Sequence, residues 1–110
     1  MKFELHEEQS MQVLSLSGDV DLESSPKARE VILQCLNGGK PLAVELSGVS
    51  YMDSSGVASL VEGYQLANSL SLRFALISVS NPALQVLQLA RLDRVFPIYP
   101  DMSQCLAEAS

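Results

Sequence analysis

Hydrophobic and polar positions change their period several times along the chain, and each change predicts an element. "FELHEEQ" and "MQVLSLSG" alternate apolar and polar residues, which predicts two half-buried strands meeting at a turn near Gln9-Ser10. "SSPKAREVILQCLNGG" switches to helical spacing, with Ala28, Val31, Ile32 and Cys35 on one face. Ser25 is its expected cap, Pro26 suits its first position, and Gly38 is expected to close it in a left-handed conformation. "LAVEL", Leu42 to Leu46, is short and apolar enough for a central strand, and "LRFALISV", Leu72 to Val79, reads as another buried one. Asn81-Pro82 opens a third helix running to about Leu92. "VFPIY" predicts a short last strand, confined to an edge by Pro97, which has no N–H to give a ladder. Asp101 followed by Gln104 resembles a capping box that opens a final helix.

The stretch "VSYMDSSGVASLVEGYQLA" predicts the remaining helix, and its start is unusual. Val57, Leu60, Val61 and Tyr64 form an apolar stripe for packing on the sheet, while Ser59, Glu62 and Gln65 are expected to project towards solvent. In front of the stripe stand Asp53-Ser54-Ser55-Gly56. First-turn N–H groups need acceptors, and Ser54 or Ser55 can supply one as the N-cap, worth about 1 kcal/mol. Gly56, without a Cβ, lets another chain approach the turn. A cap explains one serine, not the series. A hydroxyl at a helix N-terminus also sits in a field that favours anions, so the same place suits a phosphate acceptor, with Asp53 orienting the hydroxyl or accepting its hydrogen bond. The pattern alone leaves cap and acceptor both open.

The predicted order is β-β-α-β-α-β-α-β-α. Strands separated by helices need crossover connections and so pair mainly in parallel, with the first hairpin adding an antiparallel pair. The reading is one α/β domain over residues 1–110.

Composition narrows the function. The chain of 110 residues is 47% hydrophobic and 18% charged, as a globular domain is. A net charge of −6, with seven scattered Lys and Arg, argues against nucleic acid as a partner. No secretory signal and no apolar run near the ~20 residues of a membrane span is present, so no direct membrane insertion is expected and the location is expected to be cytoplasmic. Cys35 and Cys105 are expected to be buried, reduced thiols rather than metal ligands. His6 is the single histidine, and no nucleophile–base pair can be assembled around it. No catalytic residue, metal or cofactor is expected.

Three segments together resemble a known family. "LSLSGDVDLESSPKAREVI", "LAVELSGVSYMDSSGVASL" and "NPALQVLQLARLDRVFPIYPDMSQCLAEA" are similar to the STAS domain of the anti-sigma factor antagonist (anti-anti-sigma factor) family, nearly end to end. The resemblance implies a STAS-type fold, a mixed and mainly parallel sheet of about four to five strands flanked by about four α-helices. It also implies partner switching without enzymatic activity. Such a protein binds an anti-sigma factor serine kinase when unphosphorylated, is released when that kinase phosphorylates a serine of the Asp-Ser-Ser-Gly motif, and is reset by a serine phosphatase. Carried over by position, the acceptor is Ser55, with Ser54 the alternative. Asp53 and Gly56 shape the turn, Asp19 and Asp21 lie in a nearby loop, and Ser59 and Glu62 extend the partner-binding surface. One departure is Glu62-Gly63-Tyr64-Gln65, where several sporulation-type members carry basic residues. The competing role within the same resemblance is a non-catalytic subunit docked on the ATPase of a lipid-transporting ABC system, with the serines as caps or contacts.

Overall fold

The computed structural model describes residues 1–108. Its elements follow the predicted order: β1 (Lys2–Glu8), β2 (Met11–Val20), α1 (Ser25–Asn37), β3 (Leu42–Met52), α2 (Ser54–Ser69), β4 (Phe74–Ile77), α3 (Asn81–Leu89), β5 (Ile98–Tyr99) and α4 (Met102–Ala107), with a 3-10 turn at Leu92–Arg94 before β5. The sheet runs β1-β2-β3-β4-β5. β1 pairs antiparallel with β2, and every other neighbouring pair is parallel.

The larger core lies between the sheet and helices α1 to α3 and includes Leu14, Leu16, Ile32, Leu36, Val44, Leu46, Leu60 and Leu87. A smaller one on the opposite face joins Met11, Val13, Ala43, Ala75 and Ile77 to Cys105 of α4. The four residues of β4 are buried on both faces, as a central parallel strand must be.

Several expected boundaries move. β1 is exposed along its whole length, with Phe3 and Leu5 38% and 45% accessible, because it lies one strand beyond the part of the sheet that the helices cover. α1 starts at Ser25, so Ser24 takes the N-cap position and Pro26 the second helical one. Gly38 is right-handed at φ −73°, and the left-handed residue is Gly39 at φ +83°. Cys35 is half-buried and Leu36 takes its place in the core. β3 extends six residues past Leu46, since Gly48, Val49, Tyr51 and Met52 keep pairing with the end of β2 across two register shifts. β4 is shorter than Leu72–Val79. α3 stops at Leu89 because Arg91 turns left-handed at φ 59°. The last strand keeps only Ile98–Tyr99, at the sheet edge as Pro97 required. Asp101 caps α4 by accepting from the Gln104 N–H at 2.8 Å.

Candidate functional site

The Asp-Ser-Ser-Gly motif sits where β3 ends and α2 begins. Asp53 still donates its N–H to the Val20 carbonyl at 3.3 Å, a last rung between β3 and β2, and its backbone is extended at φ −112°, ψ −173°. That rung makes Asp53 the last non-helical residue and therefore the N-cap. Its Oδ1 accepts from the N–H groups of Ser55 at 2.9 Å and Gly56 at 3.2 Å. The expected serine cap is thus replaced by an aspartate cap. Asp53 orients neither hydroxyl; it spends its acceptors on backbone. Ser54 and Ser55 form no side-chain hydrogen bond among the described residues, Ser54 being exposed and Ser55 half-buried.

The other oxygen of Asp53 reaches across the chain. Oδ2 accepts from the Leu22 N–H at 3.2 Å, which ties the loop after β2 to the motif. Within that loop Asp21 Oδ1 accepts from the N–H groups of Glu23 and Ser24, both at 3.1 Å, and from the Ser24 hydroxyl. The Ser24 N–H foremost, then its hydroxyl, hold the Asp21 carboxyl below its usual range. Asp19 lies at the end of β2 rather than in the loop and accepts from the Ser50 hydroxyl at 3.1 Å. The structure therefore gathers Asp19, Asp21, Asp53, Ser54, Ser55 and Gly56 at one end of β2 and β3.

Gly56 is required by a close approach within the chain. A Cβ there would lie 2.6 Å from the Val20 carbonyl oxygen and 2.9 Å from Met52 Cγ. Gly63 serves the same purpose further along the helix, where a Cβ would meet Ile32 Cγ2 at 2.5 Å. α2 thus packs on α1 and the sheet through small residues, and Gly56, Ser59, Gly63 and Ala67 are buried beside Val57 and Leu60. Val61 and Tyr64 are only half-buried.

This close packing overturns the expectation for Ser59. It is 4% accessible, and its hydroxyl donates to the carbonyls of Ser25 at 3.1 Å and Ser55 at 3.2 Å, so it joins the helices instead of facing solvent. Glu62 is exposed as expected and pairs with Arg29 of α1. Ser55, Ser59 and Glu62 line one side of a groove between α1 and α2, opposite Ser25, Pro26 and Arg29.

Three surface residues near the motif escaped the sequence reading. Leu22 is 73% accessible although Asp53 fixes its N–H, Tyr51 stands exposed two residues before the motif, and Arg29 holds Glu62. Only Leu22 carried a signal, an apolar residue inside an acidic loop. Among the described residues no group of three or more His, Cys, Asp or Glu is placed to hold a metal ion, and no helix is long and apolar enough to cross a membrane. Cys35 and Cys105 are both free thiols.

Comparison with known proteins places the chain. The model of the STAS domain family matches residues 2–105. An anti-sigma F factor antagonist of Paenibacillus polymyxa is 24% identical over 98% of this chain and 94% of that protein. The crystal structure of an anti-sigma factor antagonist from Mycobacterium paratuberculosis superposes with a TM-score of 0.83, at 25% identity over 96% of this chain and 91% of that one. A STAS-domain anti-sigma-factor antagonist protein from Planctomyces limnophilus gives 0.84, at 26% identity over 98% of both chains. The chain belongs to the STAS domain family.

Proposed function

We propose that this STAS domain is an anti-sigma factor antagonist that works by partner switching. Unphosphorylated, it binds an anti-sigma serine kinase; phosphorylation of Ser55, with Ser54 as the alternate acceptor, releases it; a serine phosphatase restores it. The observation that carries the reading is the Asp53 cap, which leaves neither serine hydroxyl needed to hold α2. Both hydroxyls stand at the positive end of a 16-residue helix, where added negative charge is favoured.

The chemistry belongs to the partner. The γ-phosphoryl group of ATP passes to the serine Oγ as its bond to ADP breaks, and the hydroxyl proton goes to a base of the kinase. The one histidine of this chain is on β1, at the sheet edge, and cannot serve. Phosphate adds about −1.5 to −2 charges. The surface receiving it already carries Asp19, Asp21, Glu23 and Asp53, with Leu22 and Tyr51 offering apolar contact beside them. A docked partner therefore meets sharply increased repulsion and the desolvation cost of a dianion.

Incubation with the cognate kinase, ATP and magnesium should add one phosphate by intact mass, and Ser55→Ala should abolish it while staying bound to the kinase. Ser55→Asp should weaken binding only partially, since it carries one charge where phosphate carries nearly two. The reading is lost if neither serine is modified and Asp at both positions leaves affinity untouched. Recovery of a transporter ATPase and permease from native lysate, in place of a kinase, would establish the ABC docking role instead.

A further inference from the structure

β1 ends the sheet with one side of its backbone unpaired, and its seven residues form a pattern that matches itself. The hairpin fixes which side is free. Gln9 and Ser10 both have positive φ, 48° and 70°, and Glu8 stands opposite Met11, so the two-residue turn closes on a Glu8–Met11 pair. Alternation of an antiparallel ladder then turns the backbone groups of Lys2, Glu4, His6 and Glu8 towards β2. Those of Phe3, Leu5 and Glu7 point outwards.

We propose that this edge pairs with β1 of a second copy of the chain, antiparallel about a two-fold axis through Leu5. In that register Lys2 faces the second copy's Glu8, Glu4 faces its His6, and Leu5 faces Leu5. The outward amides and carbonyls of Phe3, Leu5 and Glu7 meet their equivalents and close the ladder. Lys2, Glu4, His6 and Glu8 share one face of β1, and His6 Nε2 already lies 2.9 Å from Glu8 Oε1. Each half of the interface is then a checkerboard: Lys2 beside Glu4 on one strand, Glu8 beside His6 on the other, every acid next to a basic or donor group.

Neighbouring registers fail on charge. A slip of one pair in one direction sets Glu4 against Glu4; the opposite slip sets Glu4 against Glu8 and His6 against His6. Like charges directly opposite are destabilising, so the charges that guard this edge against indiscriminate pairing disfavour both adjacent alignments. The charge-compatible alignment about Phe3, with Lys2 opposite Glu4, pairs fewer residues and leaves His6, Glu7 and Glu8 outside the ladder. Burial favours the same alignment, because Phe3 and Leu5, 38% and 45% accessible on the α1 side, gain cover about the axis. Glu7 pairs with Lys40 of its own chain and is not left bare opposite Phe3. The pairing joins two five-stranded sheets edge to edge and leaves both Asp-Ser-Ser-Gly motifs open, since these lie at the end of β3.

Sedimentation equilibrium of the full chain, from micromolar to millimolar at physiological salt, should show reversible dimerisation. Lys2→Glu and Glu8→Lys should each weaken it roughly tenfold, about 1.4 kcal/mol, since symmetry places each charge in the interface twice. The double variant should restore it to within about threefold. All these side chains are exposed, so far-UV circular dichroism should be unchanged. Leu5→Cys combined with Cys35→Ala should form a covalent dimer on oxidation, since a hydrogen-bonded pair holds Cα atoms about 5.5 Å apart, inside the disulfide range. A monomer at every concentration overturns the proposal, and so does a dimer indifferent to both single substitutions. A monomer whose Phe3, Leu5 and Glu7 amides gain hydrogen-exchange protection only on adding another protein assigns the edge to that protein and overturns it as well.

Discussion

Replacing Asp53 separates the cap from the serines. Its carboxylate accepts three backbone N–H groups, those of Ser55 and Gly56 through Oδ1 and that of Leu22 through Oδ2. Loss of an N-cap costs about 0.5–2 kcal/mol, and a net hydrogen bond in protein contributes roughly 1 kcal/mol. Asp53→Ala should therefore lower stability by about 2–3 kcal/mol, a large share of the roughly 5–15 kcal/mol available to a domain. For a chain of this length that is on the order of 10 °C in Tm. Asp53→Asn keeps one carbonyl oxygen and should lose about 1 kcal/mol, since one acceptor cannot hold both the helix turn and the Leu22 loop. Ser54→Ala and Ser55→Ala should each change stability by less than about 0.5 kcal/mol. Urea titration read by far-UV circular dichroism is the assay, because the chain has no tryptophan. A loss from Ser55→Ala as large as that from Asp53→Ala, or a neutral Asp53→Ala, would remove Asp53 as the cap.

Gly56→Ala should cost about 1–3 kcal/mol by the same urea assay, because its Cβ would lie 2.6 Å from a backbone oxygen that cannot yield without parting β2 from α2. On α2, Leu60→Asp should abolish cooperative unfolding by burying a charge, whereas Glu62→Ala should shift the midpoint little, its pair with Arg29 being exposed. Because the folded Asp21 carboxyl is held below 3.8, its contribution is complete above that pH and is lost as pH falls through the lower folded value. Asp21→Asn should accordingly flatten the acid limb of the stability profile, while an unchanged slope below pH 3.8 would remove Asp21 from it. Burial raises both thiols, with Arg73 partly offsetting the rise at Cys105, so alkylation at neutral pH should be slow. Half-buried Cys35 should react first and Cys105 only on unfolding, which peptide mapping after timed iodoacetamide exposure would decide.

Element order, the Gln9-Ser10 turn, the edge position of the last strand and the Asp101 cap could be read from the sequence, because each depends on a period or a local residue preference that acts over a few positions. The motif's place before a helix was legible for the same reason. Which of its residues caps the helix was not. Asp53, Ser54 and Ser55 all carry capping side chains, and the choice falls to Asp53 because its N–H bonds Val20 on a strand 33 residues away in sequence. Periodicity likewise marks which positions of α2 share a face, but not how closely the neighbouring helix approaches. Gly63 admits Ile32, and that contact draws in Ser59, a residue polar enough to have been placed in solvent. The alternation of β1 is as regular as that of β2, yet β1 stays exposed while β2 is buried, because accessibility depends on what packs over a strand. Local chemistry thus set the elements and their order, whereas contacts between distant segments decided which side chains are covered, which acceptors are occupied and which hydroxyls remain free.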